Sequence, residues 1–252
     1  MSAPPADAAP WAAADPYTAA LRTGTGPLFL RRTDGWLLPL DVERWCARAD
    51  AVDRDVLDRC EGPVLDVGCG PGRLVAELAA RGRTVLGIDV SATAVERTTR
   101  LGGPALHRSV FDPLPGEGRW RTVLLMDGNV GIGGDPHALL RRTARLLAPD
   151  GLLIAETAPV DVDERAEVEV TDTPVRASGR PFPWARLGTP ALLRHAKEAG
   201  LRSTAQWEAG GRSFVALRVR TAHTSADAAN SAAVISSQRP RNTSAERPVV
   251  SA

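Results

Sequence analysis

The stretch Val64-Leu65-Asp66-Val67-Gly68-Cys69-Gly70-Pro71-Gly72-Arg73-Leu74 decides the fold of this chain. Its opening residues form a short, largely apolar run typical of a buried strand, and the glycines after it allow the backbone to turn sharply. From Pro71 to Arg81, apolar residues recur at the spacing of one helix face. The stretch predicts a strand, a tight loop and a helix whose first N–H groups point at a ligand.

Strand-like and helix-like runs alternate through the rest of residues 62–220. Further strands are predicted at residues 84–88, 105–109, 122–126, 152–156, 203–208 and 212–218. Ser91, Asp135 and Thr189 are predicted to cap the helices between them, and Gly210–Gly211 signals a terminal hairpin. This order predicts an α/β fold with an open, mostly parallel, seven-stranded sheet, helices on both faces and an antiparallel terminal hairpin strand.

Composition excludes several classes of function. The 252 residues carry 31 Lys and Arg against 30 Asp and Glu, so no overall positive charge draws the chain to a nucleic acid. Three cysteines without C-x-x-C spacing argue against a disulfide framework and against a metal site. Neither a secretory signal nor an apolar stretch long enough to span a membrane is evident, which predicts a cytoplasmic protein. The oligomeric state is not determined by these features.

The ends of the chain differ from its middle. Residues 1–16 and 221–252 have no apolar periodicity and are predicted to be disordered. Residues 17–61 are predicted to form an N-terminal cap segment containing a hairpin, around Thr33-Asp34-Gly35, and a helix capped by Asp41. The core domain is predicted at 62–220, with residues 157–188 as an insertion over the cleft, because they are too long for a simple connection.

Two carboxylates give the glycine loop its chemistry. Asp66 lies two residues before the first glycine, where it would repel a diphosphate but would suit an ammonium group. Arg73 stands where a dinucleotide-binding loop needs Gly or Ala. Asp89 ends the second strand, where a carboxylate can accept hydrogen bonds from both hydroxyls of a ribose.

These motifs resemble the class I S-adenosylmethionine-dependent methyltransferases, with their Asp-x-Gly-x-Gly-x-Gly loop and an acid after the second strand. The resemblance covers roughly residues 62–220 and implies S-adenosyl-L-methionine as the cofactor. It implies that the backbone of Gly68, Cys69, Gly70 and Gly72 lines the methionine half, with Asp66 near the amino group. It further implies that Asp89 binds the ribose and that Val90 lies on the adenine face.

The adenine contact after the third strand stays open. Many members of the family have an acid at this place, whereas here the matching residue is Ser109 or Val110, depending on the alignment. The contact is therefore the Ser109 hydroxyl, the Val110 backbone or the Asp112 carboxylate. Asp112 is equally well explained as the residue that starts the loop before Pro113.

The loop after the fourth strand, Met126 to Pro136, faces the methyl donor and acceptor in the family. Asp127 and Asn129 are the polar residues expected to contact ligand there, the first as a cofactor residue and the second as a substrate residue. The alternative is that both are turn formers. Candidates for a general base are Asp127, His137, Glu156 and His107, and no spacing selects one, so no catalytic residue is assigned. Cys69 is interpreted as a small packing residue.

Aromatic residues concentrate outside the core plan. Trp36, Trp45, Phe182 and Trp184 lie in the cap segment and the insertion, although aromatics make up only 4% of the chain. They indicate a small apolar or aromatic acceptor, with Trp184 as a substrate-binding residue, or they simply anchor these segments to the sheet. The resulting hypothesis is methyl transfer to a small molecule. The alternatives are an NAD(P)-dependent oxidoreductase and a non-catalytic cofactor-binding module.

Overall fold

The computed structural model describes residues 15–174 and 180–219. The helices of this part are α1 (Asp15–Thr23), α2 (Val42–Cys46), α3 (Ala51–Asp58), α4 (Arg73–Ala80), α5 (Ala92–Arg100), α6 (Pro136–Leu146) and α7 (Thr189–Glu198). Its strands are β1 (Phe29–Arg32), β2 (Leu37–Pro39), β3 (Val64–Val67), β4 (Val85–Asp89), β5 (Ala105–His107), β6 (Trp120–Leu125), β7 (Leu147–Thr157), β8 (Asp163–Thr171), β9 (Phe182–Leu187), β10 (Leu201–Ala209) and β11 (Arg212–Val219). The ends predicted to be disordered lie outside the described residues, except that Asp15 and Pro16 begin α1.

A seven-stranded sheet forms the core, with strand order β10-β11-β7-β6-β3-β4-β5. Strand β3 pairs in parallel with both β4 and β6, while β11 runs antiparallel to β7 and to β10. This is the predicted mostly parallel sheet with its antiparallel terminal hairpin. The antiparallel strand β11 lies one position inside the sheet edge, and β10 forms the edge itself.

Both faces of this sheet are covered, because side chains alternate along each strand. On β6, Val123 and Leu125 join the apolar cluster that includes residues of α6 and α7. Their neighbours Leu124 and Met126 join the opposite cluster, which includes residues of α3 and α4. Strands β3, β4, β6 and β7 pair in parallel, so their carboxyl ends meet at one edge of the sheet.

A smaller antiparallel sheet, here called the cap sheet, has the order β2-β1-β8-β9. It joins the predicted hairpin of the cap segment to the insertion, since Leu30 of β1 pairs with Leu38 of β2 and with Val170 of β8. Asp41 caps α2 as predicted, accepting a hydrogen bond from the backbone N–H of Arg44. No helix in the described part of the chain has both the length and the apolar character needed to cross a membrane.

Several local features differ from the sequence prediction. Helices α1 and α3 and strand β9 were not predicted. Strand β9 contains Pro183, which is tolerated because β9 is an edge strand of the cap sheet. The prediction that Thr189 caps α7 is wrong, because the N-cap residue is Gly188. The Thr189 hydroxyl instead lies 2.8 Å from the hydroxyl of Thr157. Helix α4 begins at Arg73, not Pro71, because Gly70 and Gly72 both have positive φ.

Candidate active site

The loop between β3 and α4 forms a backbone cradle at the carboxyl edge of the core sheet. Gly68 has φ 70°, and a Cβ added to it would lie 2.7 Å from Nδ2 of Asn129. The N–H groups of Gly68 and Cys69 both donate to the carbonyl of Ile88, at 2.8 and 3.0 Å. The loop is therefore held against the neighbouring strand β4, and only glycine fits at its first turn.

Asp89, at the end of β4, is tied directly to this cradle. Its carboxylate accepts hydrogen bonds from the N–H of Gly70 at 2.9 Å and of Ser91 at 2.8 Å. Burial raises the pKa of the carboxyl group, while these backbone donors act in the opposite direction. With 8% of the residue exposed, Asp89 is oriented by its loop and still reaches the cavity described next.

A cavity of about 470 Å³ opens above the cradle. Its floor comes from the carboxyl ends of the core strands, and its walls come from the cap segment and the insertion. The predicted site residues that line it are Gly68, Cys69, Gly70, Asp89, Val90, Ser109, Val110, Asp127, Asn129 and Trp184. Ten of the twelve predicted positions are thus brought to one cavity by the fold.

Asp66 and Gly72, the other two predicted positions, are not among the lining residues. Gly72, with φ 91°, is where α4 approaches α5, and an added Cβ would lie 2.6 Å from Cγ2 of Thr98. Asp66 is 2% exposed, and its Oδ2 has no hydrogen-bond partner among the described residues. Burial raises the pKa of Asp66 to about 7, although Arg73 acts to lower it.

Asp127 lies in a cluster of buried ion pairs, and its φ of 56° is left-handed. The members of this ion-pair cluster are Arg44, Asp53, Arg73, Asp127, Glu156 and Arg212. Arg73 bridges it, donating to Oδ2 of Asp53 at 2.8 Å and to Oδ2 of Asp127 at 2.6 Å. Arg73 is thus not a helix-packing position as in a dinucleotide loop. It binds the helix after the cradle to the loop after β6.

Asn129 joins the same loop to the cradle. Its Nδ2 donates to the carbonyls of Val67 and Gly68, both at 2.9 Å. Because both amide hydrogens are used in these bonds, only Oδ1 is left to accept a hydrogen bond from a ligand.

The three candidate adenine contacts after β5 differ in whether they line the cavity. Ser109 and Val110 line the cavity, whereas Asp112 does not. The Asp112 carboxylate accepts from the N–H of Ser109 at 3.1 Å, as a residue that shapes its own loop does. The Ser109 hydroxyl in turn accepts from the N–H of Phe111 at 3.2 Å.

The histidines proposed as bases, His107 and His137, are absent from the cavity lining among the described residues. Nε2 of His107 is bonded to the carbonyl of Val90 at 2.8 Å. The Cys69 sulfur lies 3.9 Å from the Thr98 hydroxyl oxygen, and burial raises the pKa of the Cys69 thiol. A thiol with a raised pKa is a poor nucleophile, which agrees with a packing role.

Among the lining residues that the sequence analysis did not single out are Tyr17 of α1 and Arg44 of α2. Tyr17 is 7% exposed, and burial raises the pKa of its phenol well above the usual value. Its sequence surroundings carry no signal, although it is the only tyrosine of the chain. Arg44 donates from Nη2 to Oδ1 of Asp127 at 2.8 Å, so the cap segment is bonded to the floor of the cavity.

The group implied by the resemblance, an aminoacyl sulfonium joined to a nucleoside, fits these residues. The unpartnered, buried Asp66 oxygen beneath the cradle favours a positively charged group nearby. The Asp89 carboxylate is an acceptor-only group, as a ribose diol requires. Two carboxylates beside one cradle do not suit a diphosphate.

Comparisons with known proteins agree with this geometry. A family model described as a methyltransferase domain matches residues 42–204. The chain is 37% identical over 103 residues to the ubiquinone biosynthesis O-methyltransferase of Caulobacter sp. (strain K31). That alignment covers 37% of this chain and 40% of that protein, so the chain matches well under half of the relative's length.

Two solved structures share the fold. A SAM-dependent methyltransferase from Bacteroides fragilis, in complex with S-adenosyl-L-homocysteine, has a TM-score of 0.69 at 22% identity, covering 87% of this chain and 98% of that one. The 1,6-didemethyltoxoflavin-N1-methyltransferase of Burkholderia thailandensis has a TM-score of 0.51 at 19% identity, covering 69% and 77%. At these identities the likeness concerns the fold.

Proposed function

The chain belongs to the methyltransferase-domain family, and on this premise we propose that it transfers a methyl group from S-adenosylmethionine to a small molecule. The observation that carries the proposal is the hydrogen bond from the N–H of Gly70, in the cradle, to the carboxylate of Asp89. One oxygen of this carboxylate is fixed by the N–H of Gly70, so the residue for the ribose and the residues for the methionine half form one rigid unit.

Each part of the cofactor has residues to hold it. The methionine half is assigned to the backbone of Gly68, Cys69 and Gly70, with the Asp66 carboxylate beneath them. The ribose is assigned to Asp89. The adenine is assigned to Val90, Ser109 and Val110, which line the cavity past the end of β4. When bound, this cofactor supplies a methyl group already activated by a sulfonium.

The chain's own contribution is to orient the acceptor and to exclude water. The cap sheet supplies Leu30, Leu38, Phe182 and Trp184 to the cavity, and α2 supplies Trp45. Phe182 and Trp184 pack edge to face, with ring centroids 6.2 Å apart. This wall suits an acceptor with an apolar body.

Trp184 and Asn129, which both line the cavity, are proposed as acceptor-binding residues. Trp184 presents part of its ring, while Asn129 offers Oδ1. An enclosed wall of this kind accommodates a small molecule better than a nucleic acid, whose binding needs an exposed basic face.

Calorimetric titration tests the proposal. S-adenosylmethionine and S-adenosylhomocysteine are each expected to bind with micromolar affinity, and NADH is expected to give no heat. The reason is that the cradle is fitted to an aminoacyl group and not to a diphosphate. Binding of NADH without binding of S-adenosylhomocysteine would favour the oxidoreductase hypothesis and reject this one.

A cytoplasmic location is part of the proposal. Cys46, Cys60 and Cys69 are all unpaired, and the last two are buried. Free thiols are common in reducing compartments.

A further inference from the structure

The carboxylates that line the cavity are all occupied by hydrogen bonds. These residues are Asp41, Asp89, Asp127 and Glu156. Asp41 accepts from the backbone N–H and from Nε of Arg44, and Asp89 accepts from two backbone N–H groups. A carboxylate that accepts such bonds is stabilised in its ionised form.

Asp127 and Glu156 accept hydrogen bonds from largely buried arginines. Asp127 accepts from Arg73 at 2.6 Å and from Arg44 at 2.8 Å. Glu156 accepts from Nε and Nη2 of Arg212, at 2.9 and 2.7 Å, and also from the N–H of Asp127 at 2.9 Å. A proton taken up by either carboxylate would weaken buried ion pairs, which is costly.

The charges around Asp127 also favour its ionised form. Burial would raise the pKa of this carboxyl, but Arg73, Arg44 and Arg212 lower it below its ordinary value. A carboxylate with a lowered pKa accepts a proton only weakly at neutral pH, so it contributes little as a general base.

The polar side chains named next also line the cavity, and none of them is placed to act as a general base in place of the carboxylates. The Tyr17 phenol has a raised pKa and stays protonated. The Ser109 hydroxyl accepts from a backbone N–H, and the Thr157 hydroxyl is bonded to Thr189. None of the histidines in the described part of the chain lines the cavity.

We infer that the acceptor of this enzyme enters with its attacking atom already unprotonated, so that the described side chains of the cavity position it without removing a proton. The inference rests on the proposed function and narrows its substrate class. Suitable acceptors are weakly basic amines, which are neutral near pH 7, and anions of acidic thiols or phenols.

The transfer balances without a protein base. The acceptor's lone pair forms the new bond to the methyl carbon, the carbon–sulfur bond breaks, and its electron pair stays on sulfur. With a thiolate no proton moves. With a secondary amine, the methylated product releases its N–H proton to water afterwards.

Two matched pairs of probe acceptors test the inference. Thiophenol and phenol share one frame, and only the first is largely ionised near neutral pH. Tetrahydroquinoline and tetrahydroisoquinoline are isomers, of which only the first is largely neutral. Formation of S-adenosylhomocysteine is measured across a pH series, with the intact chain and with Glu156→Gln and Asp127→Asn.

The first member of each pair is expected to react at least about tenfold faster near neutral pH. The pH midpoint of the rate should move with the acceptor's own acid–base equilibrium and should be the same in Glu156→Gln. A midpoint shared by all acceptors, and lost in Glu156→Gln or Asp127→Asn, would overturn the inference. So would equal rates within each pair.

A binding measurement complements the rates and does not depend on the variants folding. Thiophenol is titrated into protein saturated with S-adenosylhomocysteine, in two buffers of different ionisation enthalpy at a pH where it is anionic. Equal heats are expected, because the protein takes up no proton. A buffer-dependent heat that shows proton uptake by the protein contradicts the inference. Failure of S-adenosylhomocysteine itself to bind instead contradicts the proposed function, so the two failures are distinguishable.

Discussion

The guanidinium of Arg73 joins two elements at the floor of the cavity. Its side chain is 4% exposed and joins Asp53 of α3 to Asp127, which follows β6. Removing one partner of a buried ion pair leaves an uncompensated charge, which costs more than the pair itself contributes. Asp127 has its left-handed φ within this cluster, so the ion pairs hold the loop after β6 at the cavity.

Asp89 permits a direct test at the same scale. Asp89→Ala is expected to weaken S-adenosylhomocysteine binding by about 1–3 kcal/mol, because hydrogen bonds to a charged group are lost. Calorimetric titration measures the change. Asp58→Ala is the control, because this carboxylate is exposed and does not line the cavity. An unchanged affinity for Asp89→Ala would remove Asp89 from the cofactor site.

Among the secondary-structure elements, the contact between α4 and α5 fixes the geometry of the cradle. The Thr98 hydroxyl of α5 donates to the carbonyl of Gly70 at 3.0 Å, and Gly72 lies against the same side chain. Two consecutive βα units therefore meet at the loop, and their spacing depends on the missing Cβ of Gly72.

Gly72→Ala tests this contact. The variant is expected to lose roughly 1–3 kcal/mol of unfolding free energy, because its φ of 91° strains alanine and the new methyl meets Thr98. Denaturant unfolding measures the loss. Gly82→Ala is the control, since Gly82 has φ 70° but nothing within 4 Å of an added Cβ. Equal losses in the two variants would show that backbone strain alone matters and that the helix contact does not.

For the molecule as a whole, two buried carboxyl groups with pKa values shifted in opposite directions contribute to the pH dependence of stability. Burial would raise the pKa of Asp53, but hydrogen bonds from Arg73 and Arg212 lower it from 3.8 to about 2. Asp53 therefore stabilises the fold above 3.8, and this contribution is lost as the pH falls toward 2. For Asp66, burial raises the pKa from 3.8 to about 7, so the folded protein holds a proton that the unfolded chain releases. The contribution of Asp66 to stability consequently decreases as pH rises from 3.8 to 7.

Asp66→Asn removes the contribution of Asp66 to the pH dependence of stability. The melting temperature of the variant, relative to the unmodified protein, is expected to rise with pH across the window between 3.8 and about 7. Thermal unfolding at a series of pH values measures it. Asp53→Asn should show the opposite pattern, with its largest deficit near neutral pH and a smaller one in acid. A difference for Asp66→Asn that does not vary with pH would mean that Asp66 is not buried in its protonated form.

The sequence by itself determined the core of this protein and the centre of its site. A glycine loop after an apolar strand, followed by Asp89 one βα unit later, is a local pattern, and local patterns are readable from neighbouring residues. The mostly parallel sheet and the terminal hairpin were predicted from such patterns, and ten of the twelve predicted site positions line one cavity. Helix caps at Ser91 and Asp135 were readable for the same reason.

Only the tertiary structure decided how the cavity is closed and charged. The cap sheet pairs Arg31 with Glu169, residues far apart in the chain, and such pairing leaves no mark in the local sequence. The ion-pair cluster likewise collects its members from α2, α3, α4, β7, β11 and the loop after β6. Each arginine looks like an ordinary surface residue in the sequence. Its partner, and with it the charge that surrounds the carboxylates lining the cavity, is set by packing in three dimensions.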